Sequence, residues 1–268
     1  VPEFLQPQKQ VPMLHLTNPP QDFGSQNTFQ EKFMSPVIGA DISFYQNNIE
    51  TPKRIDFVKM HTLAEFVIIR AGQNLWMDRD VKWNWNDAKQ AEIPRGSYWF
   101  YDSRANPKWQ AELWVKTLDG DLGELPMFLD LEETYSGPYG GWRSWRVFLD
   151  HLKTLVGNKE IGIYTGYYYF RDNTSGQVPM RSELEYFHQY PLWIANYSMP
   201  KPLIPFPWKD NKWVLWQYTA LGDGAAYGVE SKGIDLSYFN GSLADFRARF
   251  NLPLPPTTPG SSDLPDYY

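Results

Sequence analysis

Cysteine is absent from the 268 residues, which excludes disulfides, thiolate-held zinc, iron–sulfur ligation and a thiol nucleophile together. Histidine is scarce. His15, His61, His151 and His188 are scattered and form no His-x-x-x-His pair of the kind zinc peptidases place on a helix. No Gly-x-Ser-x-Gly elbow is present to support a serine hydrolase. Positive charge is in deficit, 25 Lys and Arg against 31 Asp and Glu, whereas a nucleic-acid partner wants a clustered basic face. Apolar runs are short, so no membrane insertion is expected. The start, Val1-Pro2-Glu3-Phe4, carries no basic-then-apolar leader. These absences imply a soluble chain with no nucleic-acid partner, no metal and no cofactor.

Aromatic residues are abundant, at 17% with 12 Trp and 17 Tyr. Flat amphipathic rings either fill a large core or stack on sugar faces, and core packing accounts for most of them. The length suits one barrel-sized domain with tails. Residues 1–35 are rich in Pro, Gln and Asn and read as an arm or linker. Residues 252–268 are a Pro-rich tail or linker, and 36–251 form the domain between.

Eight β-branched or aromatic runs fall within it: Val37–Ser43, Phe66–Gly72, Gly96–Tyr101, Met127–Glu132, Ile161–Thr165, Leu192–Tyr197, Val214–Tyr218 and Gly233–Tyr238. Helical spacing separates the early ones. Thr51 and Pro52 supply an N-cap and first-turn proline for a helix through Val58 and Leu63. Further helices are expected over Val81–Ala91, Trp109–Leu118, Trp142–Val156 and Leu184–His188. The late connections hold four prolines between Ser198 and Asn211 and a Gly-rich stretch between Leu221 and Gly233, which exclude long helices. The expected fold class is therefore α/β, a modified TIM-like barrel of the form (β/α)5(β)3.

In Met127-Phe128-Leu129-Asp130-Leu131-Glu132 the strand period of two places Phe128, Asp130 and Glu132 on one face. The other face is apolar and suits packing under helices, so the acids point inward. Carboxylates inside a barrel are costly unless they gather at its C-terminal mouth, where such folds keep their active sites. Asp41 and Asp235 occupy comparable places in Gly39-Ala40-Asp41-Ile42-Ser43 and Gly233-Ile234-Asp235-Leu236-Ser237. First and last strands are neighbours in a closed barrel, so these two form a wall opposite Asp130 and Glu132. Paired carboxylates are the equipment of glycoside hydrolysis, one protonating the leaving oxygen and another stabilising or attacking the oxocarbenium-like centre. Glu132, with the longer arm and a like charge at Asp130, is the expected proton donor. The spacing leaves retention, inversion and attack by the substrate's own acetamido group all open.

With Phe66-Val67-Ile68-Ile69-Arg70-Ala71-Gly72, Ile163-Tyr164-Thr165-Gly166, Leu192-Trp193-Ile194-Ala195-Asn196-Tyr197 and Trp216-Gln217-Tyr218-Thr219 in the same order, the chain resembles the family 25 glycoside hydrolases, the Chalaropsis-type lysozymes. The resemblance runs from about Val37 to Phe250. It implies cleavage of the β-1,4 bond from N-acetylmuramic acid to N-acetylglucosamine, with peptidoglycan glycan strands of the bacterial cell wall as partner. It also implies Glu132 as acid, Asp130 as partner carboxylate, Asp41 and Asp235 as supporting acids, and Tyr98, Trp193, Tyr197 and Gln217 lining the sugar groove. Trp99 stands where the family often has His, which bears on that subsite. The arm and tail are consistent with a phage endolysin, a larger polypeptide or a virion-borne enzyme. The rival class is a non-catalytic wall-binding or tail-structural module on the same barrel.

Overall fold

The computed structural model describes residues 36–47, 53–133, 135–175, 181–209 and 212–253. The N-terminal arm, nearly all of the Pro-rich tail and the Thr51-Pro52 helix start lie outside the described residues. In chain order the elements are β1 (Ile38–Ile42), α1 (Phe57–His61), β2 (Phe66–Gln73), β3 (Trp76–Met77), α2 (Val81–Gln90), β4 (Arg95–Phe100), α3 (Pro107–Leu118) and β5 (Met127–Leu131). They continue with α4 (Trp142–Val156), β6 (Ile161–Gly166), α5 (Tyr167–Ser175), α6 (Arg181–Leu184), β7 (Leu192–Ala195), β8 (Trp213–Asp223), β9 (Gly233–Phe239) and α7 (Leu243–Arg249).

Strands pair in the order β1-β9-β8-β7-β6-β5-β4-β2, and β1 also pairs with β2, which closes the ring. The pairs from β1 through β8 are parallel, because a helix returns the chain after each early strand. β9 runs antiparallel to both β8 and β1. The short β3 hangs outside the ring as a hairpin on β2. Five helix-bearing connections followed by three strands joined without helices is the (β/α)5(β)3 pattern expected.

Two cores divide the apolar residues. One lies between strands and helices, where α4 buries Trp142, Trp145, Phe148, Leu149, Leu152 and Val156 along one stripe. Each large side chain so buried contributes roughly 1.5–3 kcal/mol. The helix stops at Gly157, whose φ of 60 favours glycine. The second core fills the barrel with Phe66, Ile68, Phe128, Tyr164, Trp193 and Leu215. α7 closes its floor, Phe246 stacking on Phe66 at 5.3 Å.

Several local expectations need correction. α1 begins at Phe57, because the Asp56 side chain accepts the Lys59 amide and caps it there. The fifth helical connection starts at once after β6 as α5, with only α6 and a 3-10 turn (Glu185–Gln189) near Leu184–His188. Phe170 and Phe187 pack edge to face, which ties that turn back onto α5. β8 is longer than Val214–Tyr218, because its far half pairs with β9 in a hairpin past the barrel rim. β5 ends at Leu131, so Glu132 follows the strand instead of closing it.

Glycine at two inward positions makes room for rings. A Cβ on Gly39 would lie 2.1 Å from the Phe66 ring, and one on Gly162 would lie 2.5 Å from Phe128. Gly39→Ala is therefore expected to lower stability by about 1–3 kcal/mol, the usual cost of overpacking. Urea denaturation followed by Trp fluorescence checks this, and a variant as stable as the parent would contradict it.

Candidate active site

Most inward side chains near the C-terminal ends of the parallel strands are polar or aromatic, Ala195 on β7 being an exception. On β1 it is Asp41, on β2 Arg70, on β4 Tyr98, on β5 Asp130 followed by Glu132, and on β8 Gln217. β9 contributes Asp235 from its start, since an antiparallel strand brings its first residues to the mouth. Asp41 and Asp235 are direct partners across the β1–β9 pair.

Hydrogen bonding fixes the Asp41 side. Gln217 Nε2 donates to Asp41 Oδ2 at 3.0 Å. The Tyr164 and Tyr197 hydroxyls donate to Gln217 Oε1 at 2.8 and 2.5 Å. Two donors on the amide oxygen leave the amide nitrogen facing the carboxylate, so the tyrosines orient Asp41 through Gln217. Asp130 contrasts with it, being buried at 3% exposure with Oδ1 unpartnered among the described residues.

All four carboxyls hold their protons more tightly than usual, and burial is the largest cause for each. Glu132 keeps surface open to the groove, yet the crowded walls strip water from it and push its carboxyl up to about 7. The Tyr164 hydroxyl opposes this, while the charge of Asp235 adds to it. The like-charge repulsion expected between Asp130 and Glu132 is present as well and raises Asp130. Asp41 is raised well above the usual range by burial, then by the charge of Asp235. Asp235 is raised to about 6, offset by a hydrogen bond from Asp41. Asp130 is raised by burial, then by Glu132 and Asp41, while Arg70 pulls it back. The four carboxyls act on one another, so their protons come off as those of a group and not of independent acids.

The predicted groove residues divide. Tyr197 is exposed at the rim and Tyr98 is half-buried. Trp193 is 2% exposed, with its Nε1 donating to Ser237 Oγ at 2.9 Å. It lies edge-on to Tyr98, Phe128 and Tyr164 as the floor beneath the mouth. Trp99 points outward and stacks on Trp114 under α3, so the departure at that position does not touch the groove. Arg70, its ion-pair partner Asp78 and Tyr164 were missed as site residues. Counting by twos from Phe66 and from Gly162 would have placed Arg70 and Tyr164 inward. Among the described residues no group of three or more His, Asp or Glu is arranged to hold a metal ion.

Raised carboxyls cost stability where they must ionise. Folded Glu132 binds its proton up to about pH 7, whereas the unfolded side chain loses it near pH 4.3. The folded state therefore binds more protons between these limits, and stability falls as pH rises through that window. Glu132→Gln is expected to raise Tm at pH 7.5 and to lose that gain at pH 4. A gain independent of pH would contradict the assignment.

The Glycosyl hydrolases family 25 model matches residues 40–225. The chain is 27% identical over 217 residues to the uncharacterised protein YegX of Escherichia coli strain K12, covering 79% of this chain and 72% of that protein. It is 29% identical over 180 residues to an autolytic lysozyme of Clostridium acetobutylicum, covering 66% of this chain and 49% of that one. Among solved structures it is similar to the bacterial lysozyme of Streptomyces coelicolor, with TM-score 0.63, 25% identity, and 81% and 98% of the two chains covered. A muramidase from Trichobolus zukalii gives TM-score 0.62 and 26% identity, covering 80% and 98%. With its family model spanning most of the barrel, from Asp41 through Asp130, Glu132 and Gln217, the chain belongs to glycosyl hydrolase family 25.

Proposed function

We propose that this glycoside hydrolase is a muramidase: it cleaves the β-1,4 bond from N-acetylmuramic acid to N-acetylglucosamine in peptidoglycan, with Glu132 as general acid. The observation that carries this reading is a carboxyl held near neutral pH at an open barrel mouth, beside a second acid buried with a free acceptor oxygen. A proton donor must be protonated yet able to give its proton up near working pH, and desolvation supplies that at Glu132.

On this reading the unpartnered Oδ1 of Asp130 is the acceptor that meets charge developing at the anomeric carbon or the substrate's acetamido N–H. Asp41 and Asp235 form the opposite wall. Their shared proton keeps that wall from carrying two full charges, and Gln217 holds Asp41 still. Tyr98 and Tyr197 supply ring faces to the sugars, and buried Trp193 supports them from below. The catalytic unit on this reading is the barrel over residues 36–251, acting on the bacterial cell wall in lysis or penetration of the phage type.

Three measurements test it. Glu132→Gln is expected to lower turnover on peptidoglycan by roughly 10²–10⁴-fold, the range for loss of a general acid. Equal clearing of cell walls by variant and parent would overturn Glu132 as the acid, and clearing by neither would favour the non-catalytic wall-binding module. Activity of the parent should fall above about pH 7, where Glu132 gives up its proton. A rate that holds level to pH 9 would argue against Glu132 as acid. Reducing-end analysis of released fragments should find muramic acid, and glucosamine there would make the enzyme a glucosaminidase.

A further inference from the structure

Arg70 is a buried cation for which the acid chemistry gives no account. It is 5% exposed, and strand alternation from Ile68 places it on the inward face of β2, paired in register with Tyr98. Its charge acts on both Tyr98 and Asp130, so it belongs to the mouth. Nε donates to Asp78 Oδ2 at 2.8 Å. The same Asp78 oxygen accepts the Phe44 amide at 3.1 Å, and Oδ1 accepts the Asp80 amide at 3.0 Å, so the anchoring carboxylate cannot turn. Three rings enclose the guanidinium, Phe44 at 4.6 Å, Tyr45 at 5.3 Å and Trp76 at 5.3 Å from Cζ. Within this cage Nη2 is buried with no hydrogen-bond partner among the described residues.

A buried guanidinium N–H left unmade is costly, and a native structure that keeps one needs a reason for it. Simple pairing with Asp78 would be satisfied by a two-pronged contact. Here Asp78 engages the fork only at Nε, and Nη2 keeps its N–H groups without a partner among the described residues. The fork geometry of arginine suits carbonyl and carboxylate oxygens. In a muramidase the sugar whose anomeric carbon meets Asp130 is muramic acid, and Arg70 lies within reach of Asp130's field. Muramic acid differs from glucosamine by its 3-O-lactyl group, whose acyl oxygen is present whether that group is a free acid or an amide to the stem peptide.

We infer that Arg70, caged by Phe44, Tyr45 and Trp76 and anchored by Asp78, donates Nη2 to the lactyl acyl oxygen of the muramic acid bound beside Asp130. Arg70 is thereby a specificity-determining residue, and the aromatic cage with Asp78 positions it. The inference rests on the muramidase reading given above.

The test compares two ligands by calorimetry in a Glu132→Gln background, where neither is consumed: a tetrasaccharide of alternating glucosamine and muramic acid, and chitotetraose, which lacks lactyl groups. The background protein should bind the muramic ligand roughly tenfold or more tightly, the worth of one hydrogen bond to a charged donor. Arg70→Lys keeps a cation opposite Asp78 but offers no second prong. It should bring the ratio near one while chitotetraose affinity stays within about twofold. Arg70→Gln with Asp78→Asn removes both charges together and carries the same expectation should the lysine variant melt early. An unchanged ratio overturns the inference, and so does an equal loss on both ligands, which would mark a contact to the shared acetamido group or a structural role. Reducing-end analysis of the parent keeps the two readings apart. Glucosamine ends would overturn both, whereas muramic ends with an unchanged ratio in the variants would overturn the role of Arg70 alone.

Discussion

Ring closure through β1 is the constraint on which the site depends. This five-residue strand pairs parallel with β2 on one side and antiparallel with β9 on the other. The register of the second pairing sets Asp41 directly against Asp235. Because side chains alternate with a period of two, a slip of one residue would turn Asp41 outward and Ala40 inward. The reversal of β9 matters equally, since only an antiparallel strand brings its opening Gly233-Ile234-Asp235 to the end of the barrel where the parallel strands finish. Gly39 makes the closure possible in the layer below, its missing side chain admitting the Phe66 ring.

From that closure follows an electrostatic environment in which water, more than charge pairing, is the missing partner. Desolvation leads the shift at Asp41, Asp130, Glu132 and Asp235 alike. The protein leaves this strain in place at the mouth and satisfies ions elsewhere. Buried Arg95 is held by Asp121 and Glu124, and both acids sit below their ordinary range as a result. An arginine with two acids stabilises, whereas four acids crowded at the barrel mouth, each with a raised carboxyl, cost stability once ionised. The mouth is therefore the part of the domain where stability and chemistry oppose each other.

Much of this was legible in the sequence, because alternation and helical periodicity are local rules. Asp130 falls inward by the period of its strand, and the α4 stripe follows from Trp142, Trp145, Leu149, Leu152 and Val156 at spacings of three and four. The failures came where tertiary contacts override local preference. Tyr167–Ser175 is rich in aromatic and β-turn residues and does not look helical, but Phe170 is fully buried against Trp145, Phe187 and Trp208. α7 is short, and its helical reason is the plug that Phe246 makes in the barrel floor. Trp193 was placed in the groove by the family resemblance, yet its depth along the strand, invisible in the sequence, leaves it buried beneath the mouth. Arg70 was passed over inside an apolar run, since its partner Asp78 lies across a hairpin whose two-residue strand gives almost no signal.

The central claim is that crowding of the barrel mouth, with Asp235 adding its charge, keeps Glu132 protonated to near neutral pH. The most direct test is the carboxyl carbon shift of Glu132 followed by NMR against pH, in the intact protein and in Asp235→Asn. The account predicts a midpoint at about 7 in the parent, moving down but staying above the ordinary glutamate range in the variant, because burial remains when the charge is gone. A parent midpoint near 4.3, the value of a free glutamate, would contradict it.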